Sequence, residues 1–109
     1  MLFRSLKLCN EIDLLTHAFQ KHELYSLSSQ IKRAADSVVL NIAEGSTGQS
    51  IPEYKRFLRI ALQSAIEVVA CLFMARSRNY IIEEIFKKYY SAYDVLCKMI
   101  TKLINSMDT

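Results

Sequence analysis

The sequence predicts an all-α four-helix bundle, and three observations lead to this fold class. Four segments carry apolar residues at the three- and four-residue spacing of a helix, and no segment keeps the apolar-polar alternation of a strand. Short polar stretches separate these segments, and one stretch holds both glycines and the single proline. The length of 109 residues suits one domain with its own core. We therefore expect residues 1-109 to form one antiparallel up-down-up-down bundle.

The first two helices follow from apolar spacing and from the residues that end them. Helix one is predicted at about residues 3-20, where apolar residues recur every four or three positions: Leu8, Ile12, Leu15 and Phe19. The stretch KHELYSL then predicts a turn, and helix two follows at about 27-46. Gly45 and Gly48 can adopt the left-handed conformation that closes a helix.

Helix three, at about 51-78, opens on a recognisable start signal. Ser50 and Glu53 form an S-x-x-E capping box, and Pro52 lies in the first turn, where its missing N–H is not needed. Its apolar positions keep a heptad spacing: Tyr54, Leu58, Ala61, Ala65, Val68, Leu72 and Ala75. We expect this helix to end near Asn79.

Helix four, at about 82-106, carries two apolar seams. One seam comprises Ile85, Tyr89, Ala92, Leu96, Met99 and Leu103, and the other comprises Phe86, Tyr93, Ile100 and Ile104. Two seams predict two sets of neighbours, one inside the monomer and one that another subunit can supply. The apolar fraction of 51% also favours an oligomer, because it predicts apolar surface left over after the monomer folds.

Several classes of protein are disfavoured by composition. The longest charge-free apolar run, VVACLFMA, has eight residues, whereas a membrane span needs about 20. The N-terminus lacks the apolar core of a signal peptide, so we expect a cytoplasmic protein without a membrane partner. The three cysteines form no CxxC pair and are interpreted as reduced core residues. A net charge of +3 is compatible with nucleic acid but does not require it.

A ladder of polar residues follows one face of helix two, beside its apolar stripe. Its members are spaced by three or four positions: Gln30, Arg33, Ser37, Asn41 and Glu44. Ser64 and Glu67 have the matching spacing on helix three. We interpret all seven as a structural polar network. If the two helices pair about Gly48, the register predicts ion pairs between Arg33 and Glu67 and between Glu44 and Arg56.

Catalysis and metal binding are the alternatives for these polar groups. Glu44 and Glu67 could act as paired carboxylates in acid-base chemistry, but no histidine lies near either in the sequence and no glycine-rich phosphate loop is present. Metal sites in bundles use a Glu-x-x-His motif, which His17 and His22 lack. We therefore expect no enzyme activity, catalytic residue, metal or cofactor.

The basic residues offer a candidate nucleic-acid surface. Lys55, Arg56 and Arg59 cluster on the first turns of helix three, and Arg76 and Arg78 close it. Such cations form either a solvated face or a phosphate-binding surface. A symmetric ring would increase the number of cations that can bind phosphate. Among the tyrosines of helix four, Tyr90 falls on neither seam and is the one free to stack on a base.

Helices two and three resemble a known bacterial family. The segments LSSQIKRAADSVVLNIAEG and EYKRFLRIALQSAIEV are similar to those of four-helix bundle proteins encoded in intervening sequences of 23S ribosomal RNA genes. The matching residues are Leu27, Gln30, Arg33, Ala34, Ser37, Asn41, Ile42, Ala43, Glu44, Gly45, Glu53, Phe57, Leu58, Ala61, Ser64 and Glu67. The loop STGQS departs from the family pattern, because it lacks the basic residue that often follows the glycine.

The resemblance implies a left-handed antiparallel bundle that assembles into a homopentameric ring without established enzymatic activity. Related proteins of diversity-generating retroelements are basic pentameric accessory factors that bind a reverse transcriptase and nucleic acid. We therefore expect an accessory protein associated with RNA or DNA. An oligomeric scaffold that binds only protein partners is the alternative.

Overall fold

A computed structural model describes residues 1–19, 26–48 and 50–107, which form four α-helices and no strand. The helices are α1 (Leu2–Phe19), α2 (Ser26–Gly45), α3 (Ile51–Ser77) and α4 (Glu83–Ser106). The all-α prediction and the four helices are confirmed, and, apart from the end of helix one, the observed ends lie within a residue of those expected. Gln20, the predicted end of helix one, and residues 21–25 of the predicted turn lie outside the described residues.

The start of α3 depends on the residues that the sequence identified. The Ser50 Oγ atom accepts a hydrogen bond from the Glu53 backbone N–H at 3.4 Å, and Pro52 lies in the first turn. The Glu53 carboxylate is bound by Arg56. The hydrogen bond that Ser50 contributes to the capping box is therefore present. Before Ser50, Gly48 adopts a φ of 84°, which lets the chain turn between α2 and α3.

The end of α3 is closed by Asn79 in the left-handed conformation, with a φ of 60°. The Tyr80 N–H donates to the Ala75 carbonyl at 2.9 Å, and the Asn79 N–H donates to the Arg76 carbonyl at 3.0 Å. These two bonds make a Schellman motif, which satisfies carbonyls that the helix leaves free. The prediction of an end near Asn79 is confirmed, and α4 then begins with Glu83 and Glu84 at its positive end.

All four helices contribute to one apolar cluster, to which α3 gives a continuous stripe of buried residues. Its fully buried residues are Leu58, Ala61, Ala65, Val68, Leu72 and Ala75. By length and composition α3 could also cross a membrane. In the bundle, one side of α3 packs within the core, whereas apolar side chains such as Ile66 and Phe73 on the helix remain exposed.

Contacts between neighbouring helices define how they lie. On α1 and α2, Asp13 pairs with Lys32 at 3.2 Å, and Cys9 donates to Asp36 at 3.0 Å. Residue numbers therefore rise along α1 as they fall along α2. Contacts between α3 and α4 follow the same rule, with Phe73 against Phe86 and Arg76 against Glu83.

The second predicted seam of α4 is buried in the monomer and the first is buried only in part, so the expectation that another subunit supplies further neighbours stays a prediction. Tyr93 and Ile100, from the second seam, are 1% and 0% exposed within the monomer. Tyr89 and Leu96, from the first seam, are buried beside them. At 3.6 residues per turn the two seams are adjacent, and α4 packs mainly against α3 and to a lesser extent against α1.

A methyl group at Gly45 should destabilise the protein. An added Cβ would lie 2.9 Å from Tyr54 Cδ1 and 3.2 Å from Phe57 Cβ, which is too close on both sides. Alanine improves helix propensity by about 1 kcal/mol, so we expect overpacking to leave Gly45→Ala net destabilised by about 1–2 kcal/mol. Urea unfolding measures this change. The cost should be smaller in a Tyr54→Ala background, and a variant as stable as wild type would contradict the close approach.

The Cys9 thiol should make stability depend on alkaline pH. Burial, together with the hydrogen bond to Asp36 and the charges of Asp36 and Asp13, raises the pKa of Cys9 from 9.0 to about 12. Between these values the unfolded chain loses the proton and the folded chain keeps it, so the free energy of unfolding falls by up to ~1.4 kcal/mol per pH unit.

Urea unfolding of wild type and Cys9→Ala over a pH series tests this dependence. The variant should lose less stability than wild type as pH rises through this window, because only the thiol is absent. Parallel pH profiles for the two proteins would show that Cys9 does not carry the effect.

Candidate functional site

The middle of the polar ladder lies between α2 and α3. The hydroxyl oxygens of Ser37 and Ser64 are 2.8 Å apart and share a hydrogen bond. The Asn41 Nδ2 atom donates to the Ser37 backbone carbonyl at 2.8 Å and to its hydroxyl at 3.1 Å. Ser64 is buried and the other two are half-buried, so these three groups satisfy one another where water is largely excluded.

At the Gln30 end of the ladder, the expected ion pair between Arg33 and Glu67 is absent from the described part of the chain. Within the described part of the chain, Glu67 accepts a bond from the Gln30 side chain at 3.5 Å, and Arg33 forms no ion pair. All three side chains are exposed. An ion pair at such an edge gains little over hydration, so nothing compels the arginine to turn toward the carboxylate.

The expected pair between Glu44 and Arg56 is also replaced. The Arg56 guanidinium donates from Nε and Nη2 to the two carboxylate oxygens of Glu53, both at 3.1 Å. Glu53 lies three residues away on the same helix, so this two-bond contact costs less ordering than a contact with α2. The Arg56 guanidinium also lies over the Phe57 ring, 4.5 Å from its centroid.

The ladder thus joins α2 to α3 by the Ser37–Ser64 bond and by the bond from Gln30 to the Glu67 carboxylate, rather than by the two ion pairs. Four of its seven members make direct side-chain bonds to the facing helix: Gln30, Ser37, Ser64 and Glu67. Glu44 is exposed and its backbone carbonyl accepts from the Thr47 hydroxyl at 2.8 Å. Across the described ranges, no group of three His, Cys, Asp or Glu residues is arranged to hold a metal ion.

The candidate basic residues occupy opposite ends of α3. Arg56 and Arg76 are twenty positions apart, which corresponds to about 30 Å along the helix axis. Arg59 is exposed near the first end, beside Lys55 and Arg56. One monomer therefore presents two separate basic clusters rather than one continuous patch.

Arg76 is held in an aromatic setting at the second end of α3. Its guanidinium lies 3.9 Å from the centroid of the Phe86 ring and 5.1 Å from that of Phe73. The same group pairs with Glu83 at 3.2 Å. The Glu83 carboxylate therefore partly neutralises the charge of Arg76. The same side chain stabilises the contact between α3 and α4, and its remaining charge contributes to the surface potential.

Tyr90, which the sequence analysis expected to be free to stack on a base, instead packs in the same aromatic cluster. Its ring stacks on Phe86 at 5.6 Å and meets Phe73 edge-on at 5.8 Å. Tyr90 and Phe73 remain 39% and 44% exposed, whereas Tyr89 is buried. Sequence reasoning missed Phe73, although its spacing of three from Arg76 was a usable signal.

The Ser37–Ser64 bond should appear as coupling in unfolding experiments. Replacing either serine by alanine removes one partner, and we expect each loss to cost about 1 kcal/mol. The double variant should lose less than the sum, because the second change removes a group that already lacks its partner. Ser29→Ala, on the exposed face of α2, is the matched control. Strictly additive losses at Ser37 and Ser64 would contradict a direct bond.

Comparisons with known proteins agree with the resemblance noted in α2 and α3. The family model for 23S rRNA-intervening sequence protein matches residues 2–102. A solved structure of a protein with unknown function, from the S23 ribosomal protein family of Bacteroides thetaiotaomicron VPI-5482, superposes with a TM-score of 0.89. It is 25% identical, and the match covers 94% of this chain and 96% of that one. No curated protein matches the chain. The chain therefore belongs to the 23S rRNA-intervening sequence protein family.

Proposed function

We propose that this protein is a non-enzymatic, homopentameric accessory factor that binds RNA or DNA in the cytoplasm. The observation that carries the proposal is the cluster of Lys55, Arg56 and Arg59 at the start of α3, in which Arg56 and Arg59 are exposed and Lys55 is half-buried. Arginine and lysine side chains bind phosphates without regard to sequence, and binding strengthens with the number that converge on one surface. A ring brings several copies of the cluster onto one assembly.

The proposed ring consists of left-handed, antiparallel bundles. The falling residue numbers across each helix contact support the antiparallel arrangement. Exposed apolar side chains support self-association, because a monomer that keeps many of them in water gains by covering them. Those on α3 and α4 are Ile51, Ile66, Phe73, Met74, Tyr90 and Val95, and Ile82 lies just before α4.

A protein-binding scaffold without affinity for nucleic acid is the second candidate. The exposed aromatic pair of Phe73 and Tyr90 favours it, since aromatic side chains are enriched where proteins bind one another. A reverse transcriptase or another protein would then bind the outside of the ring. The two candidates differ in one property, which is the response of binding to salt.

Binding to a labelled single-stranded RNA, followed by fluorescence anisotropy over a salt series, tests the proposed function. We expect affinity to fall steeply with salt, because each phosphate contact releases counterions. Arg59→Glu should weaken binding and lower the slope of log affinity against log salt by about 1. Light scattering on the same sample should give the mass of a pentamer.

Arg33→Glu is the matched control, because Arg33 is also an exposed arginine without an ion pair in the described ranges, but it lies on α2. It should change the slope less than Arg59→Glu. RNA and DNA that both fail to bind at low salt would contradict the nucleic-acid proposal and favour the scaffold. A monomer at micromolar concentration would contradict the ring.

A further inference from the structure

A cleft separates α1 from α4 on the outside of the bundle. It has a volume of about 570 Å³ and is lined by Phe3, Arg4, Lys7, Glu11, Lys88 and Tyr89, with Leu8 and Ala92 completing it. We name it the α1/α4 cleft. Small-molecule sites in proteins commonly have volumes of about 300–1,000 Å³, so the cleft is large enough to hold one nucleotide unit.

The charges of the α1/α4 cleft favour an anion. Three cations line it against one carboxylate, that of Glu11. Glu11 is already engaged, since it accepts from the Tyr89 hydroxyl at 3.2 Å and lies 3.7 Å from Lys88 Nζ. Arg4 and Lys7 are exposed and form no ion pair among the described residues. Arg4 and Lys7, which both lie on the α1 side of the cleft, are therefore not paired with a carboxylate of the described residues.

Phe3 gives the same cleft an apolar surface. Its ring is 81% exposed, which is the largest exposure of any large apolar side chain in the described ranges. Such a ring, one residue from Arg4, combines a flat stacking surface with a phosphate-binding group. Bases stack on aromatic rings in single strands, whereas in a duplex both faces of each base are already covered.

We infer that the α1/α4 cleft binds one nucleotide unit of a single strand, with its phosphate at Arg4 and Lys7 and its base against Phe3. This inference rests on the proposed nucleic-acid function and adds a second contact region to the basic cluster of α3. An acidic protein segment would use the same cations, but it would not require the exposed ring. The combination of ring and cations favours nucleic acid.

Anisotropy with single-stranded and duplex RNA of one sequence, at one low salt concentration, tests the cleft. Phe3→Ala should weaken single-strand binding about tenfold or more, because stacking on an aromatic ring is lost. Phe3→Tyr should retain binding. Leu14→Ala removes a side chain of comparable exposure, 68%, from the same helix but outside the cleft, and should have no effect.

A matched pair of lysine variants tests how much positive charge in the cleft contributes to binding. Lys7→Gln should weaken binding of the single strand, whereas Lys87→Gln removes the same charge from an exposed residue that does not line the cleft. We expect Lys87→Gln to have the smaller effect. Duplex RNA should be less sensitive to Phe3→Ala than the single strand.

The outcomes separate the two proposals. If Arg59→Glu weakens binding while Phe3→Ala and Lys7→Gln do not, the cleft inference is overturned and the proposed function stands. If no nucleic acid binds wild type at low salt, both are overturned. Binding of a polyglutamate peptide, but not of RNA, that depends on Lys7 would assign the cleft to protein recognition and also overturn the inference.

Discussion

The close approach of α2 to α3 is the constraint on which the rest of the bundle depends. Gly45 lies where any side chain would press on Tyr54 and Phe57, and the hydroxyls of Ser37 and Ser64 meet further along the same contact. Small residues let two helices come together, and a satisfied polar contact then fixes one register among several that apolar packing alone would accept. α1 then packs mainly against α2, and α4 mainly against α3.

This arrangement divides the polar residues into two groups with different roles. Ser37 and Ser64 share a hydrogen bond between α2 and α3, and Asn41 donates to Ser37 within α2, so these groups satisfy one another. The charged residues lie outside, at the ends of α3 and along α1. The proposed function then depends on the outer surface, where cations and exposed aromatic rings would contact a long polyanion. A fold of this kind can keep its core while its surface changes.

Local patterns were sufficient to predict the four helices, their ends and the core of α3 from the sequence. Capping at Ser50 and closure at Asn79 depend on neighbours in the chain, so the sequence records them directly. The ion pairs of Arg33 and Glu44 were mispredicted because side chains at a solvated edge select among several partners, and Arg56 had a closer one on its own helix. The α1/α4 cleft could not be predicted, because it arises from the spacing of two helices that are distant in sequence.

Hydrogen–deuterium exchange with and without a saturating single-stranded RNA tests the division between a structural interior and a functional surface most directly. The account predicts slower exchange on binding in peptides from the start of α1 and the start of α3. It also predicts unchanged exchange in the peptide that contains Ser37 and Asn41. Protection concentrated in that α2 peptide, with none at the starts of α1 and α3, would contradict it.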